Sequence, residues 1–280
     1  MLTNSMSTAT STRIHPTAVV DARAEIGAGV EIGPYSVVEA GARIGDGCVL
    51  GAGVHVFGCV ELGAGSTVRT ASVLGGEPQD LKYKDEPSRV VIGARCRIHE
   101  HVTVHRGTGA DTVTTLGDEV MLMAGSHVGH NCRVDRNAIL VNGAMLGGHV
   151  HVAERAFISG GAAVHQFCRV GRLTLVGAMS AVTKDAPPFS IVTGSYPVRW
   201  RAPNTVGLRR AGFDSERRAA LRHALWALFR SGESARQVAE ELFQSPVPEV
   251  VELARFVLES KRGVCAGKRG RAHDDDGETF

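Results

Sequence analysis

The stretch that decides the fold is LGDEVMLMAGSHVGHNCRVDRNAILVNGAMLGGHVHVAERAFISGGAAVHQFCRVGRLTLVGAMSAV, Leu116–Val182. A branched aliphatic returns at every sixth position, at Leu116, Leu122, Val128, Val134, Leu140, Leu146, Val152, Ile158, Val164, Val170, Val176 and Val182. A helical stripe of period 3.6 cannot hold a strict six, and a plain strand alternates at two without a corner. A short strand followed by a turn does hold it. Three such hexads close a triangular coil of about 18 residues whose aliphatics point inward, so the stretch predicts a parallel β-helix of hexapeptide repeats.

Working outward, the same period runs from Ile14 through Val20, Ile26 and onward to Leu74, and again through Ile92, Ile98 and Val104, which makes 26 hexads in all. That is between eight and nine coils, a prism roughly 40 Å long at ~4.8 Å per coil. The period breaks at 75–91 and at 107–115, which are read as loops bulging from one face. A small or slim residue, such as Ala42, Cys48 or Ser66, follows each of the first ten aliphatics at the fourth position and suits a corner. The repeat spans 13–188 and stops at Pro187-Pro188. Residues 189–205 read as a connecting segment. Over 206–263 the period turns helical: Asp214 and Ser234 are placed to cap helices and Pro248 to open one. The polar ends, 1–12 and 264–280, read as disordered tails.

Composition agrees and excludes several classes. Glycine supplies 34 of 280 residues and aromatics only 5%, as a fold of many tight corners requires. A net charge of +2 gives no reason to expect nucleic acid or a membrane as partner. No apolar run reaches the length of a transmembrane helix and Met1–Thr12 lacks the pattern of a signal peptide, so the chain reads as cytoplasmic. The six cysteines, Cys48, Cys59, Cys96, Cys132, Cys168 and Cys265, show no CxxC spacing and read as reduced packing groups.

Because the repeat is regular, position in the chain converts to position in space. The hexads at 128, 146 and 164 share one face and carry His130, His149 and His165. Counting back across the loops adds His105 and the loop residues Gln79, Asp80 and Lys82, and His127 stands at the corner leading into that face. Histidine exchanges protons near neutrality without special burial, so such a cluster beside two loops points to catalysis or metal binding.

Six segments in this order, QDLKY (79–83), VHRGT (104–108), SHVGHNC (126–132), GGHV (147–150), AVHQFC (163–168) and GLRR (207–210), carry a family resemblance over about residues 13–263. The chain resembles the UDP-N-acetylglucosamine acyltransferases that start lipid A synthesis. That resemblance implies a left-handed parallel β-helix followed by a small C-terminal α-helical domain. It implies transfer of a 3-hydroxyacyl group from acyl carrier protein to the sugar 3-hydroxyl. His130 would be the general base and Gly148 the backbone donor to the oxyanion. His127 and His149 would orient donor and sugar, while Gln79, Asp80, Lys82 and His105 would line the sugar and acyl pocket. His165, Gln166, Asn204 and Arg210 would face the nucleotide, and Ala178 would close the acyl groove. A homotrimer is implied, with no bound cofactor, phosphopantetheine arriving on the carrier protein, and no metal.

Asn131 stands where such relatives often have aspartate, and Val206 and Ala211 where they often have glutamate and arginine. A relative with an altered nucleotide-sugar acceptor is therefore one alternative. A γ-type carbonic anhydrase, a hexapeptide prism with zinc held by histidines of neighbouring subunits, is another, although it explains neither QDLKY nor the helical domain. A non-catalytic scaffold is the third.

Overall fold

A computed structural model describes residues 11–267. The hexads form two-residue strands, each followed by a turn, and the strands stack into three parallel sheets that are the faces of a triangular prism. Arg13 pairs with Glu31, Val19 with Val37 and Glu25 with Arg43, so each coil advances by the predicted repeat. The first face begins at Arg13–Ile14, the second at Val19–Val20 and the third at Glu25–Ile26.

The inward aliphatics from Ile32 to Val182 form one buried column. Ile14 is 46% exposed because, among the described residues, nothing stacks above the first coil. At the corners small residues are buried, and their side chains cap a carbonyl of the next coil: Ser36 Oγ donates to Gly51 O at 2.7 Å, and Cys132 Sγ to Gly147 O at 3.1 Å. Cysteine and serine thus occupy equivalent positions, and all six thiols are free.

The outward positions differ by face. The lower first face stacks Met121, Ile139, Phe157, Leu175 and Ile191. The second face stacks His127, Met145, Ala163 and Ala181. The third carries Glu25, Arg43 and Glu61, then Arg133, His151 and Arg169, with Glu61 bridging Arg43 and Arg89. One face of the prism is therefore charged, and two are largely apolar at the end nearer the helices.

Both loops leave the second face. The longer follows Val73–Gly76 and re-enters at Arg89–Ile92 on the third face, and the shorter follows Thr103–His105 and re-enters at Val113–Leu116. The pairings Val73 to Thr103 and Thr103 to His127 place both insertions at one corner, as the counting across the breaks required.

Beyond Pro188 the chain departs from the expected connecting segment. Ser190–Thr193 extends the first face and pairs antiparallel with Arg199–Pro203. Among the described residues four helices follow: α1 (Thr205–Arg210), α2 (Ser215–Arg230), α3 (Ala235–Leu242) and α4 (Pro248–Leu258). Asp214 caps α2 by accepting from Arg217 N–H at 2.8 Å, and Pro248 opens α4, whereas Ser234 precedes α3 without a side-chain cap bond. Their apolar faces form a second core around Leu221, Leu225, Leu253 and Trp200. Arg172 holds Glu252 of α4 at 2.7 Å, tying the helices to the prism.

The expected tail needs correction at its start. Val264 bridges to Asp185 and Cys265 is buried, so residues 264–267 belong to the fold, where they close the lower end of the prism. Residues 1–10 and 268–280 of the expected tails lie outside the described residues, whereas Ser11 and Thr12 are described and exposed, with Thr12 Oγ1 donating to Gly27 O at 3.0 Å.

Candidate active site

The corner between the second and third faces gathers the histidines. His127 lies within the strand His127–Val128 rather than at the preceding corner, and its outward ring accepts or donates at Nδ1 to Thr103 Oγ1 at 2.7 Å. His105, one coil above, packs edge-on against it with ring centres 4.8 Å apart. His130 follows at the turn, and one repeat further on the same turn holds Gly148 and then His149. The His130 and His149 rings meet edge-on at 5.2 Å, and His149 stacks on Phe167 at 4.6 Å.

Gly148 is glycine for a steric reason. A Cβ there would stand 2.3 Å from His130 Nε2, inside the ring's own contact distance. Its N–H has no protein partner among the described residues, while its carbonyl accepts from Phe167 N–H at 3.0 Å. The corner therefore offers a backbone donor beside an imidazole nitrogen.

The long loop folds back over this corner. Arg106 fastens it, donating to Tyr83 Oη at 3.0 Å and to Gly75 O at 3.1 Å, with its guanidinium 5.5 Å from the Tyr83 ring centre. The two loops are also joined directly, by Gly109 N–H to Glu86 Oε1 at 2.6 Å. This brings Asp80 Oδ2 to 3.8 Å from His130 Nε2, too long for a hydrogen bond and short enough for the charge to be felt. Gln79, Leu81 and Lys82 beside it point outward and are exposed.

Burial and proximity set the protonation states. The Lys82 N–H, first, and then the His130 ring hold the Asp80 carboxyl below its ordinary range. Burial pushes His105 down to about 4, with His127, His130 and Arg106 adding repulsion. His127 is lowered by burial and then by His130. His149 is lowered for the same two reasons, with Asp80 opposing. Neutral imidazoles thus surround His130 near neutrality.

The remaining expected residues divide into groups. His165 and Gln166 are exposed one coil below Gly148, with His165 Nδ1 donating to the Gln166 carbonyl at 3.1 Å. Asn204 and Arg210 lie elsewhere, in a cleft of about 450 Å³ between α1 and the first face, lined by Ile139, Phe157, Leu175, Arg155, Val206 and Ala211. Asn204 is engaged internally: Nδ2 donates to Leu173 O at 2.8 Å and Oδ1 caps α1 through Gly207 N–H at 2.9 Å. Ala178 is exposed at the corner between the first and second faces, beside Met179. One chain therefore does not bring Asn204, Arg210 and Ala178 to the histidine corner.

Comparison with known proteins decides the family. A curated acyl-acyl-carrier-protein–UDP-N-acetylglucosamine O-acyltransferase from Burkholderia orbicola is 43% identical across 90% of this chain and 99% of its own length. The present chain belongs to this acyltransferase family. The counterpart from Pseudomonas paraeruginosa is 42% identical over 90% of this chain and 98% of its own. Within the acyltransferase fold, residues 185–265 match the family profile described as UDP N-acetylglucosamine O-acyltransferase, domain 2, and residues 23–58 match bacterial transferase hexapeptide repeats. The solved UDP-N-acetylglucosamine acyltransferase of Bacteroides fragilis superposes with a TM-score of 0.86 at 32% identity, covering 90% of this chain and 99% of that one. That of Campylobacter jejuni gives 0.85 at 34%, covering 91% and 99%. The prism shares the left-handed coil of these acyltransferases and their small helical end.

Three residues that shape this corner, Thr108, Arg106 and Phe167, escaped the sequence reading. Thr108 and Arg106 act through loop conformation, which no period encodes. Phe167 was visible as a large aromatic at a left-handed turn position, where asparagine and glycine are common but not universal, and only its stacking on His149 gives that meaning.

Proposed function

We propose that this acyltransferase moves a 3-hydroxyacyl group from the thioester of acyl carrier protein to the 3-hydroxyl of UDP-N-acetylglucosamine, the first step of lipid A biosynthesis, with His130 as the general base. The observation that carries the residue assignment is the approach of the Gly148 backbone to His130 Nε2, which a single Cβ would forbid. A sugar hydroxyl is a poor nucleophile near neutrality and needs a base at the moment of attack. His130 Nε2 takes the hydroxyl proton as the oxygen bonds to the thioester carbonyl carbon. The Gly148 N–H donates to the carbonyl oxygen as it becomes negative, where a backbone donor already in place costs no reorganisation. Collapse breaks the carbon–sulfur bond, and the departing thiolate of the phosphopantetheine arm recovers the proton from His130. Asp80, His149 and His127 hold the sugar and donor around this axis, with Gln79, Lys82 and His105 at the pocket edge. The chain needs no resident cofactor or metal for these steps. We place the reaction in the cytoplasm; among the described residues no helix is long and apolar enough to cross a membrane.

The enzyme works in this reading as a homotrimer. Packing the apolar first face of one copy against the second face of the next leaves the charged third face in water and closes a three-fold ring. Each histidine corner then meets the neighbour's cleft, so that Arg210 and Asn204 of one copy face the nucleotide whose sugar lies near His130, His165 and Gln166 of another. Leu81, fully exposed at the loop tip, is covered by the same contact. Arg210 suits a phosphate because its charge is permanent and its donors are forked. The acyl chain runs from His127 over Met145, Ala163 and Ala181 toward Ala178. Sedimentation at micromolar concentration should give a trimer, and a monomer alone would refute this assembly.

Val206 and Ala211 line the cleft read here as the nucleotide end with apolar surface, so a sugar nucleotide altered at that end is the second reading of the acceptor. Purified protein incubated with carrier-protein thioesters and each sugar nucleotide separates the two. His130→Ala should lower turnover at least ~100-fold. A folded variant with the parent's rate removes His130 from the mechanism.

A further inference from the structure

Asn131 follows His130 with φ at 57°, in the left-handed region that asparagine tolerates well. Each of its polar groups beyond the carbonyl is used. Its N–H donates to Thr114 Oγ1 at 2.8 Å, and Nδ2 donates to Thr108 O at 3.2 Å. Its Oδ1 accepts from Thr108 N–H at 2.9 Å. The side-chain amide is thus clamped at both ends by one residue of the short loop. Reversing it would set two donors against each other and two acceptors against each other, so the clamp fixes which end is oxygen.

The same Oδ1 lies 2.7 Å from His130 Nδ1. An amide oxygen only accepts, so His130 Nδ1 must carry a hydrogen. We infer that Asn131, anchored by Thr108, is the positioning residue that holds neutral His130 as its Nδ1–H tautomer, which leaves the Nε2 lone pair aimed at the acceptor hydroxyl. This deepens the proposed function and rests on His130 being the base. The ring orientation is fixed by the same bond, and the second nitrogen is left on the side of Asp80 and Gly148.

The consequence is specific to an amide. A carboxylate at position 131 would orient the ring equally well and would also favour the charged imidazolium, whereas Asn131 orients it without adding charge. The other titratable groups facing His130 are Asp80 of the long loop, His105 and His127 of the second face and His149 of the next coil. None changes when position 131 is substituted, so the pH dependence of turnover reads position 131 directly.

The test compares full-length enzyme carrying Asn131→Leu, Asn131→Asp or His130→Ala. For each, kcat, both KM values and the pH profile of kcat/KM are measured. Leu173 already adopts the same backbone conformation, with φ at 54°, so leucine fits the turn. Asn131→Leu should lower kcat at least about tenfold with KM nearly unchanged, because His130 is free to take the wrong tautomer. Asn131→Asp should keep most of the rate and move the acid limb of the profile upward by about one unit or more. It also keeps the test alive should the leucine variant fail to fold. A folded Asn131→Leu enzyme with the parent's kcat, or an Asn131→Asp enzyme with an unmoved acid limb, overturns the inference while an inactive His130→Ala enzyme leaves the base in place. Full activity in His130→Ala overturns both.

Discussion

Replacing Gly148 with alanine tests the chemistry of the corner with one methyl group. The backbone there is not left-handed, so alanine brings no conformational strain of its own. Its Cβ would stand 2.3 Å from His130 Nε2 and 2.4 Å from Cε1. Ordinary contact begins at 3.4 Å, so the ring must retreat by roughly 1 Å. That retreat pulls Nδ1 away from Asn131, whose amide is clamped and cannot follow. A misplacement of about 1 Å costs on the order of 100-fold in rate, which corresponds to about 2.7 kcal/mol in the barrier. The cost to folding is smaller, about 0.5–1.5 kcal/mol for a side chain driven off its rotamer. Steady-state kinetics with a carrier-protein thioester, together with a thermal melt, separates the two effects. A folded Gly148→Ala enzyme with the parent's kcat/KM would refute the argument that this corner holds the reacting atoms.

Two further outcomes follow from the geometry. Ala178 lies about 2.7 coils below His130, roughly 13 Å along the axis at ~4.8 Å per coil. Ala178→Gly should therefore lengthen the preferred 3-hydroxyacyl chain in a competition among graded donors, since a pocket discriminates one methylene by ~1–3 kcal/mol. An unchanged optimum would take Ala178 out of the groove. His105 gives a pH signature in stability. Its native value of about 4 lies below its ordinary 6.5, so between these values the unfolded chain binds the extra proton. Stability should fall as pH drops through that window, by at most about 3 kcal/mol from this residue, and level off below it. Melting curves from pH 7 to 4 should be flatter for His105→Gln, and parallel curves would refute the assignment.

The sequence by itself determined the prism, its three faces and the corner where the histidines meet. In a β-helix a step of three hexads returns the chain to the same face, so sequence separation is a coordinate. His105, His127, Gly148 and His149 could be brought together by counting, and the two loops assigned to their corner by the missing residues in the count. Tertiary structure decided what counting could not reach. The clamp of Asn131 on Thr108 joins residues across a loop whose course has no period. The hairpin at 190–203 and the docking of 264–267 depend on side-chain packing against the open end of the prism, where the repeat has stopped. The fractional count of about 2.7 coils already sets Ala178 on another corner than His130, whereas the separation of Arg210 from His130 emerged only in three dimensions. Periodicity encodes local backbone geometry and its stacking, whereas loops, ends and contacts between faces are set by which surfaces remain to be buried once the coils have formed.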